Sequence, residues 1–241
     1  MVMSRLFRDV DGGALFPHGS VVCIGAFDGL HLGHRALVRR AVARAQELRL
    51  PAVALSFEPL PREFFSRELP PPRLTLARGK YQGLRALGAD SVGLLRFDAR
   101  LSAMSAQDFV HQLLVARLGA REVWIGPDFR FGHRRGGDLA LLQELGTGLG
   151  FTANEIEPVQ LKGERVSSTR IREALRGGDF TDAGAAGVAR MPPTCWAGRT
   201  PSVGGSCAAS SWAARSGFPP PTCVSRRRLH CRASMRLGCM V

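Results

Sequence analysis

The 241-residue chain lacks acidic residues near its end and contains only two lysines, Lys80 and Lys162. All 20 Asp and Glu lie at or before Asp182, so most of the net charge of +13 belongs to the last 59 residues, which carry 8 Arg. Residues 1–182 carry 25 Lys and Arg, a net charge of +5. This modest excess suits a small phosphate-bearing ligand as well as it suits nucleic acid. Because most of the positive charge lies in the tail and not in the body of the chain, we expect no nucleic-acid partner.

Long apolar runs and leader-like segments are also missing. No run of about 18 apolar residues occurs, so no transmembrane helix is predicted. The first 13 residues contain acids where a signal peptide has its apolar core. We therefore expect a cytoplasmic protein with no membrane partner. The sequence does not indicate an oligomeric state.

The cysteines lack the spacing of a metal site. One of the six is Cys23, and the other five lie after residue 190 without any CxxC pair. This pattern argues against a zinc site. A disulfide framework does not fit a cytosolic chain.

Strand-like and helix-like segments alternate along the chain. Short apolar segments predict strands at 20–26, 51–57, 91–97, 121–126 and 151–159. Helical patterns cover 31–49, 76–87, 105–118, 138–149 and 168–176. Strands separated by helices pair in parallel, so the fold class is α/β with a doubly wound parallel sheet. Ligands bind at the carboxyl ends of such strands, and the loops there are the candidate sites.

The loop after the first of these strands reads GAFDGLHLGH, residues 25–34. A glycine after a strand lets the backbone approach a phosphate, and His31 and His34 share a face at the start of the next helix. Two ordinary surface histidines are the alternative, but they leave the glycines and Asp28 unexplained. Neither the dinucleotide-binding pattern G-x-G-x-x-G nor a P-loop is present.

This stretch resembles the HxGH signature of the nucleotidylyltransferase superfamily. In its full length it is similar to the first motif of the prokaryotic bifunctional riboflavin kinase/FAD synthetase family. Four later segments resemble that family's motifs in the same order: SFEPLPREFF (56–65), RLT with Lys80 downstream, GPDFRFGHRRGGD (126–138) and SSTRIREALRGGDF (167–180). The resemblance covers roughly residues 18–182 and concerns the N-terminal FMN adenylyltransferase module. Ala26 departs from it, because the family often has Asn there.

The resemblance implies a Rossmann-like nucleotidylyltransferase domain that transfers AMP from ATP to FMN, with Mg²⁺ accompanying ATP and FAD as the product. The implied catalytic residues are His31, His34 and Arg170, which would stabilise charge on the triphosphate and the leaving pyrophosphate. The implied ATP-binding residues are Gly25, Phe27, Asp28, Gly29, Gly33, Ser168 and Thr169. The implied flavin-binding residues are Phe57, Pro59, Asp128, Phe129 and Phe131.

Several of these residues have an alternative interpretation. Asp28 either holds Mg²⁺ through water or orients its loop. Ser168 either binds phosphate or only caps a helix. Phe57 is either part of a flavin floor or a core aromatic. Arg172 points away from Arg170 and is interpreted as structural. No metal ligand is assigned from the sequence.

Residues 1–17 are predicted to be an N-terminal segment and residues 183–241 a disordered tail. We interpret this tail as a frameshifted or truncated remnant of the riboflavin kinase module, since GC-rich codons can be chosen for it that, shifted by one base, encode segments resembling those of the kinase. A natural basic tail is the alternative. The first interpretation implies that riboflavin kinase activity is absent.

Three other functions stay open at this stage. The first is a different HxGH adenylyltransferase, acting on pantetheine phosphate or nicotinate mononucleotide. The second is an inactive truncated product. The third is a basic nucleic-acid-binding protein, suggested by the charge of the tail.

Overall fold

A computed structural model describes residues 5–187 of the chain. The chain divides into two units, Met1–Gly198 and Arg199–Val241, and all described residues belong to the first. The interpretation of the tail as a kinase remnant therefore lies outside the described residues from 188 onward.

A six-stranded parallel sheet forms the centre of the described part. Its strands are Arg5–Phe7 (β1), Ser20–Ile24 (β2), Ala52–Glu58 (β3), Ser91–Arg96 (β4), Ala120–Ile125 (β5) and Thr152–Glu155 (β6). The strand order is β1-β4-β3-β2-β5-β6, and all neighbours are parallel. A separate antiparallel hairpin consists of Gln160–Leu161 (β7) and Glu164–Arg165 (β8). The predicted parallel α/β sheet is confirmed.

Helices flank this sheet and connect its strands. They are Leu32–Leu48 (α1), Pro61–Phe64 (α2), Ala77–Ala86 (α3), Ala99–Ala103 (α4), Ala106–Asp108 (α5), Leu139–Leu149 (α6), Ser168–Arg176 (α7) and Phe180–Ala185 (α8). Helix α5 continues with π-helical hydrogen bonds over Phe109–Arg117, and a 3₁₀ turn spans His133–Arg135.

Both faces of the sheet are apolar, as the doubly wound pattern requires. Successive side chains of β2 point to opposite faces. Val21 and Cys23 pack with the buried side chains of α1 and with Leu84 of α3. Val22 and Ile24 belong to the other core, which includes the π-helical segment and α6. The continuous burial of this strand follows from having a layer on each side.

The strand order reverses between β2 and β5. From β2 the chain winds outward through β3 and β4, and β5 then starts again on the other side of β2 and is followed by β6. The carboxyl ends of β2 and β5 therefore border a crevice, the usual ligand position in doubly wound sheets.

The structure also differs from the predicted elements. Strand β1 was not predicted, because only three residues of the 1–17 segment pair with β4. Strand β6 ends at Glu155 instead of reaching residue 159, because its partner β5 ends at Ile125 and Pro158 has no N–H to extend the ladder. Helix α8 crosses the domain boundary expected at residue 182.

Candidate active site

The loop between β2 and α1 is held in a tight, left-handed conformation. Phe27, Gly29 and Leu30 have φ angles of 49°, 90° and 41°. A Cβ on Gly29 would lie 2.9 Å from Cδ1 of Leu74, so the space as well as the φ angle requires glycine. Phe27 and Leu30 are fully buried. Non-glycine residues persist at positive φ only where packing enforces it, as at ligand sites.

His31 and His34 form a stacked pair at the N-terminus of α1. His31 is the N-cap, and its Nδ1 accepts the backbone N–H of His34 at 3.3 Å. The two rings are 3.7 Å apart at an interplanar angle of 19°, and the edge of Phe27 contacts His34 at 5.3 Å between centroids. Because Nδ1 of His31 is an acceptor, its neutral ring carries the proton on Nε2.

Burial keeps both imidazoles neutral. It lowers the pKa of His31 to about 4, against the opposing effect of the Asp28 carboxylate. Burial also lowers the pKa of His34 well below its ordinary value, and His31 adds to this effect. A neutral imidazole stabilises phosphate charge by donating a hydrogen bond, and the role of the two histidines in charge stabilisation stays a prediction. Nδ1 of His34 is buried without a hydrogen-bond partner among the described residues, which indicates a ligand position.

Gly33 makes room for this arrangement. A Cβ at Gly33 would lie 3.3 Å from both Cε1 and Nδ1 of His31. A larger residue would therefore push the His31 ring away from its stacked position. The backbone N–H of Gly33 also has no partner among the described residues, whereas those of Leu32 and His34 are both hydrogen-bonded.

A cavity of about 150 Å³ opens beside the histidines, in the crevice between β2 and β5. We call it the crevice cavity. Its lining combines the start of α1, the end of β5 and the segment before α7: His31, Gly33, His34, Leu37, Gly126, Pro127, Ile156, Glu157, Pro158, Val159, Arg165, Val166 and Ser167. Of the seven predicted ATP-binding residues, Gly33 lines it, while Gly25, Phe27, Asp28 and Gly29 form the loop behind it.

Arg165 is the cationic side chain in this lining, and the sequence-based assignment missed it. Its guanidinium pairs with Asp128 and donates to the carbonyl of Pro127 at 3.2 Å, which connects β8 to the loop after β5. Arg165 lies two positions before the SST motif in the sequence. Its proximity to that motif is the sequence feature that could have identified it as a site residue.

Arg170, predicted to be catalytic, is not among the residues that line the crevice cavity. Its guanidinium pairs with Asp182 of α8 and donates to the carbonyls of Leu161 and Glu164, each at 3.1 Å. Arg170 therefore joins α7, α8 and the β7–β8 hairpin. Thr169 is exposed on the first turn of α7 and does not line the cavity either.

The first turn of α7 is capped by Ser167 and not by Ser168. Oγ of Ser167 accepts the backbone N–H of Arg170 at 3.2 Å. Oγ of Ser168 instead donates to the carbonyl of Asp28 at 2.8 Å, so it fastens α7 to the loop before α1. The sequence left phosphate binding and helix capping open for Ser168, and this contact with the Asp28 carbonyl is neither of the two.

Asp28 is buried, and both oxygens of its carboxylate are paired with groups of the protein. It accepts the backbone N–H groups of Leu74 and Thr75 and pairs with Arg62 and Arg172. This favours the loop-orienting alternative over magnesium binding. Among residues 5–187 no group of three or more His, Cys, Asp or Glu is placed to hold a metal ion. Mg²⁺ bound with ATP is held largely by phosphate oxygens and water and needs no such group, so Mg²⁺ accompanying ATP stays a prediction.

A second cavity, of about 200 Å³, has five phenylalanines among its twelve lining residues, and we call it the aromatic cavity. It is lined by Phe57, Pro61, Phe65, Phe97, Leu101, Ser102, Phe109, Arg130, Phe131, Gly132, Arg134 and Arg135. Phe97 contacts the rings of Phe57 and Phe65 edge to face, at 5.8 and 5.7 Å between centroids, and the rings of Phe109 and Phe131 are tilted and 5.5 Å apart. Such a surface suits a flat aromatic ligand.

The structure brings only part of the predicted flavin set to the aromatic cavity. Phe57 and Phe131 line it, and Phe129 stacks on Phe131 at 5.8 Å. Pro59 is exposed, and Asp128 is paired with Arg165, so neither lines this cavity. Phe57 also belongs to the core of the fold, which confirms the core interpretation, while its place in a flavin floor stays a prediction.

Lys80 connects α3 to the end of β3. Its ammonium pairs with Glu58 at 2.8 Å and donates to the carbonyl of Phe57 at 3.3 Å. Burial lowers the pKa of Lys80, and the Glu58 carboxylate opposes that shift. The residue therefore supports the strand end that carries Phe57.

The chain after α8 returns to the N-terminus of α1. The backbone N–H of Leu32 donates to the carbonyl of Ala186 at 3.0 Å. Arg35 donates to the carbonyls of Leu30 and Gly187 at 2.8 and 2.7 Å. Residues 186 and 187, which the sequence assigned to the tail, thus help to hold the helix that carries the histidines.

Comparisons with known proteins identify the family of this chain. A family model described as FAD synthetase matches residues 14–170. The bifunctional riboflavin kinase/FMN adenylyltransferase of Pseudomonas fluorescens is 46% identical over 162 residues, which are 67% of this chain and 52% of the relative. The protein of the same name from Escherichia coli (strain K12) is 42% identical over 172 residues, 71% of this chain and 55% of the relative. The chain thus spans about half the length of these curated relatives.

A solved structure has the same fold. The crystal structure titled macrolide-efflux protein from Streptococcus pneumoniae aligns with a TM-score of 0.67 at 26% identity, covering 77% of this chain and 61% of that one. Within residues 5–187, no helix combines the length and the apolar character needed to cross a membrane.

Proposed function

Because the chain belongs to the FAD synthetase family, we propose that it is an FMN adenylyltransferase, which transfers the adenylyl group of ATP to the phosphate of FMN. An FMN phosphate oxygen attacks the α-phosphorus of ATP, the bond from that phosphorus to the bridging oxygen breaks, and pyrophosphate leaves. FAD and pyrophosphate together contain all the atoms of the two substrates. The observation that carries the proposal is the stacked, neutral His31–His34 pair beside a cavity at the switch point of the sheet.

The crevice cavity is proposed to hold the triphosphate of ATP. Nε2–H of His31 and the backbone N–H of Gly33 supply donors, and the α1 N-terminus adds its positive dipole end. Arg165 supplies the positive charge that the neutral histidines do not provide. Fixed donors in a partly buried site stabilise developing charge better than water does, because they do not have to reorient.

The aromatic cavity is proposed to hold the isoalloxazine ring of FMN. Edge-to-face aromatic walls suit a flat conjugated ring, and the arginines of its lining suit the carbonyl and phosphate oxygens of a flavin. Arg134 and Arg135 follow Gly132 on a turn with positive φ angles. This cavity also favours FMN over the two other acceptors considered from the sequence, since pantetheine phosphate has no aromatic ring and nicotinate mononucleotide has only a single small one.

No protein nucleophile takes part in the proposed reaction. Burial raises the pKa of Cys23, the cysteine of the described residues, to about 12, so its thiol is not ionised near neutral pH. Positioning of the two substrates and stabilisation of phosphate charge account for the catalysis.

The test is to incubate the full chain with FMN, ATP and Mg²⁺ and to quantify FAD and pyrophosphate. We expect FAD to form, and His31→Asn to form much less. Absence of FAD, or equal rates for the two proteins, would overturn the proposal. Parallel reactions with pantetheine phosphate and nicotinate mononucleotide test the acceptor, because faster turnover of either contradicts the assignment of FMN.

The origin of the tail stays a prediction, and it is tested at the gene. Sequencing across codons 180–195 is expected to show a one-base slip relative to related genes. An intact frame, with the same tail in close relatives, would contradict it. A riboflavin phosphorylation assay on the full chain tests the associated loss of kinase activity.

A further inference from the structure

Asp28 contacts several segments outside its own loop. Its side chain is 2% exposed. Oδ1 accepts the backbone N–H groups of Leu74 and Thr75 at 2.9 and 3.0 Å, and Oδ2 pairs with Arg62 and Arg172. A buried carboxylate with two guanidiniums and two amides has every strong acceptor position filled.

The partners of Asp28 come from three separate parts of the chain. Arg62 lies on α2, Arg172 lies on α7, and Leu74 precedes α3. Backbone contacts join the same parts, because Gly29 donates to Oγ1 of Thr75 at 3.0 Å and Ser168 donates to the carbonyl of Asp28. Asp28 is therefore the point at which these segments meet, three residues before His31.

Two of these segments also border the two cavities. Pro61, the neighbour of Arg62, lines the aromatic cavity. Ser167, which caps the helix of Arg172, lines the crevice cavity beside His31. A single buried carboxylate thus connects a wall of one cavity to the histidine loop and to a wall of the other.

The two arginines differ in how firmly they are held. The side chain of Arg172 is 5% exposed and also donates to the carbonyls of Pro72 and Ser168. The side chain of Arg62 is 33% exposed, and its Nε has no hydrogen-bond partner among the described residues. Arg172 is therefore the fixed partner, and Arg62 is the partner whose position can respond to a ligand beside α2.

We propose that Asp28 is a positioning residue that couples the two cavities. A ligand in the aromatic cavity fixes Arg62 against Asp28. The contact orders the histidine loop, and the ordered loop gives the crevice cavity a higher affinity for nucleotide. This proposal rests on the proposed function for the identity of the two ligands. By linkage, nucleotide raises the affinity for FMN by the same factor.

The experiment measures binding and not turnover. The FMN dissociation constant of the full chain is determined by flavin fluorescence, without nucleotide and with saturating α,β-methylene-ATP, which cannot transfer its adenylyl group. We expect the nucleotide analogue to tighten FMN binding by about fivefold or more, the usual lower range of coupling between sites. The reciprocal titration, of the analogue with and without FMN, is expected to give the same factor.

Three variants distinguish coupling from a general structural role. In Arg62→Gln we expect the factor to fall to about one. The thermal midpoint should fall as well, because Asp28 is buried and loses one guanidinium, but Arg172 and two backbone amides still hold its carboxylate and the chain stays folded. Arg62→Lys, which keeps the charge, should recover part of the factor. Arg67→Gln removes an exposed arginine from the segment after α2 and should leave the factor unchanged.

Each outcome decides the proposal. Equal FMN affinity with and without the analogue, retained coupling in Arg62→Gln, or failure of FMN to bind would overturn it. Formation of FAD without coupling would leave the proposed function standing and reject only the role of Asp28. Coupled binding without formation of FAD would support the role of Asp28 and reject the proposed reaction.

Discussion

Nδ1 of His31 accepts the backbone N–H of His34, and the two rings stack 3.7 Å apart. This one hydrogen bond caps α1, sets the tautomer of His31 and leaves its Nε2–H as the donor for a ligand. It therefore connects helix formation to the proposed chemistry, and the first prediction separates the two.

Replacing His31 by Asn should remove catalysis while keeping the helix cap. Asn is a good N-cap residue, so its side-chain oxygen can replace Nδ1 as acceptor, but it does not supply the Nε2–H donor. We expect kcat for FAD formation to fall by about 10²- to 10³-fold, as for other lost transition-state donors. His111→Asn, on an exposed position of the π-helical segment, is the control and should retain full activity. Equal losses in both variants would count against the assignment.

Replacing Gly33 by Ala should lower activity without lowering stability. The added Cβ meets the His31 ring at 3.3 Å and displaces it by a few tenths of an ångström. Small misplacements of catalytic groups reduce rates strongly, and we expect a loss of about tenfold in kcat. In Gly148→Ala of α6 the Cβ enters open space, so this control should gain the helical preference of Ala, up to about 1 kcal/mol, at unchanged activity. Unchanged kcat in Gly33→Ala would show that the ring position is not critical.

The free energy of unfolding should decrease on acidification because of His31. Its pKa is about 4 in the folded protein and near 6.5 in the unfolded chain, so the unfolded chain binds a proton first. The neutral state of buried His31 therefore contributes about 3 kcal/mol to the free energy of unfolding above pH 6.5. This contribution is lost as the pH falls to 4. Urea titrations between pH 7.5 and 4 should show a smaller decrease for His31→Asn than for the unaltered chain. Parallel curves for the two proteins would contradict the buried, neutral state.

Replacing Phe65 by Leu should weaken FMN binding specifically. Phe65 lines the aromatic cavity yet is 62% exposed, so the substitution removes a ring contact at little cost to the core. Loss of one aromatic contact, about 1 kcal/mol, corresponds to an increase of about fivefold in the FMN dissociation constant. Phe180→Leu on α8, similarly exposed at 68%, is the matched control and should bind FMN normally. Nucleotide affinity should be unchanged in both, and a loss of FMN binding in the control would place the flavin elsewhere.

The segment after Asp182 should be needed for activity up to Gly187. A chain that ends after Asp182 loses the carbonyls of Ala186 and Gly187, which leaves the N–H of Leu32 and one side of Arg35 without these acceptors. Each such lost partner costs about 1–3 kcal/mol when buried. We expect a lower thermal midpoint and slower FAD formation than in a chain that ends after Gly187. Equal behaviour of the two would show that these contacts do not support α1.

Much of the fold was predictable from local pattern. Segments such as 20–26 and 91–97 were recognised because buried parallel strands are short, apolar and β-branched, and helices such as α1 and α7 begin and end within a residue of their predicted limits. Strand β1 and the β7–β8 hairpin were missed, because two or three residues are too few to show a period. The hairpin matters for the site, since it carries Arg165.

The cavity beside His31 and His34 lies where the sequence predicts a ligand loop, whereas the charge state of these histidines was not predictable. Glycines after a buried strand, followed by two histidines at the start of a helix, identify a ligand loop through interactions only a few residues apart. The neutral state of the histidines depends first on burial in the packed loop, where Phe27 contacts His34, and His31 is also affected by the positive charge of Arg165. The partners of Asp28 lie 34 to 144 residues away along the chain.

The sequence by itself therefore determined the α/β class, the loop that carries the site and the two histidines within it, because each of these depends on short-range periodicity or on backbone conformation. Only the tertiary structure decided that Arg165 lines the crevice cavity while Arg170 pairs with Asp182, and that Asp28 is a buried junction of three chain segments. The physical reason is that ion pairs and pKa values depend on which distant groups share a low-dielectric interior, and packing alone brings those groups together.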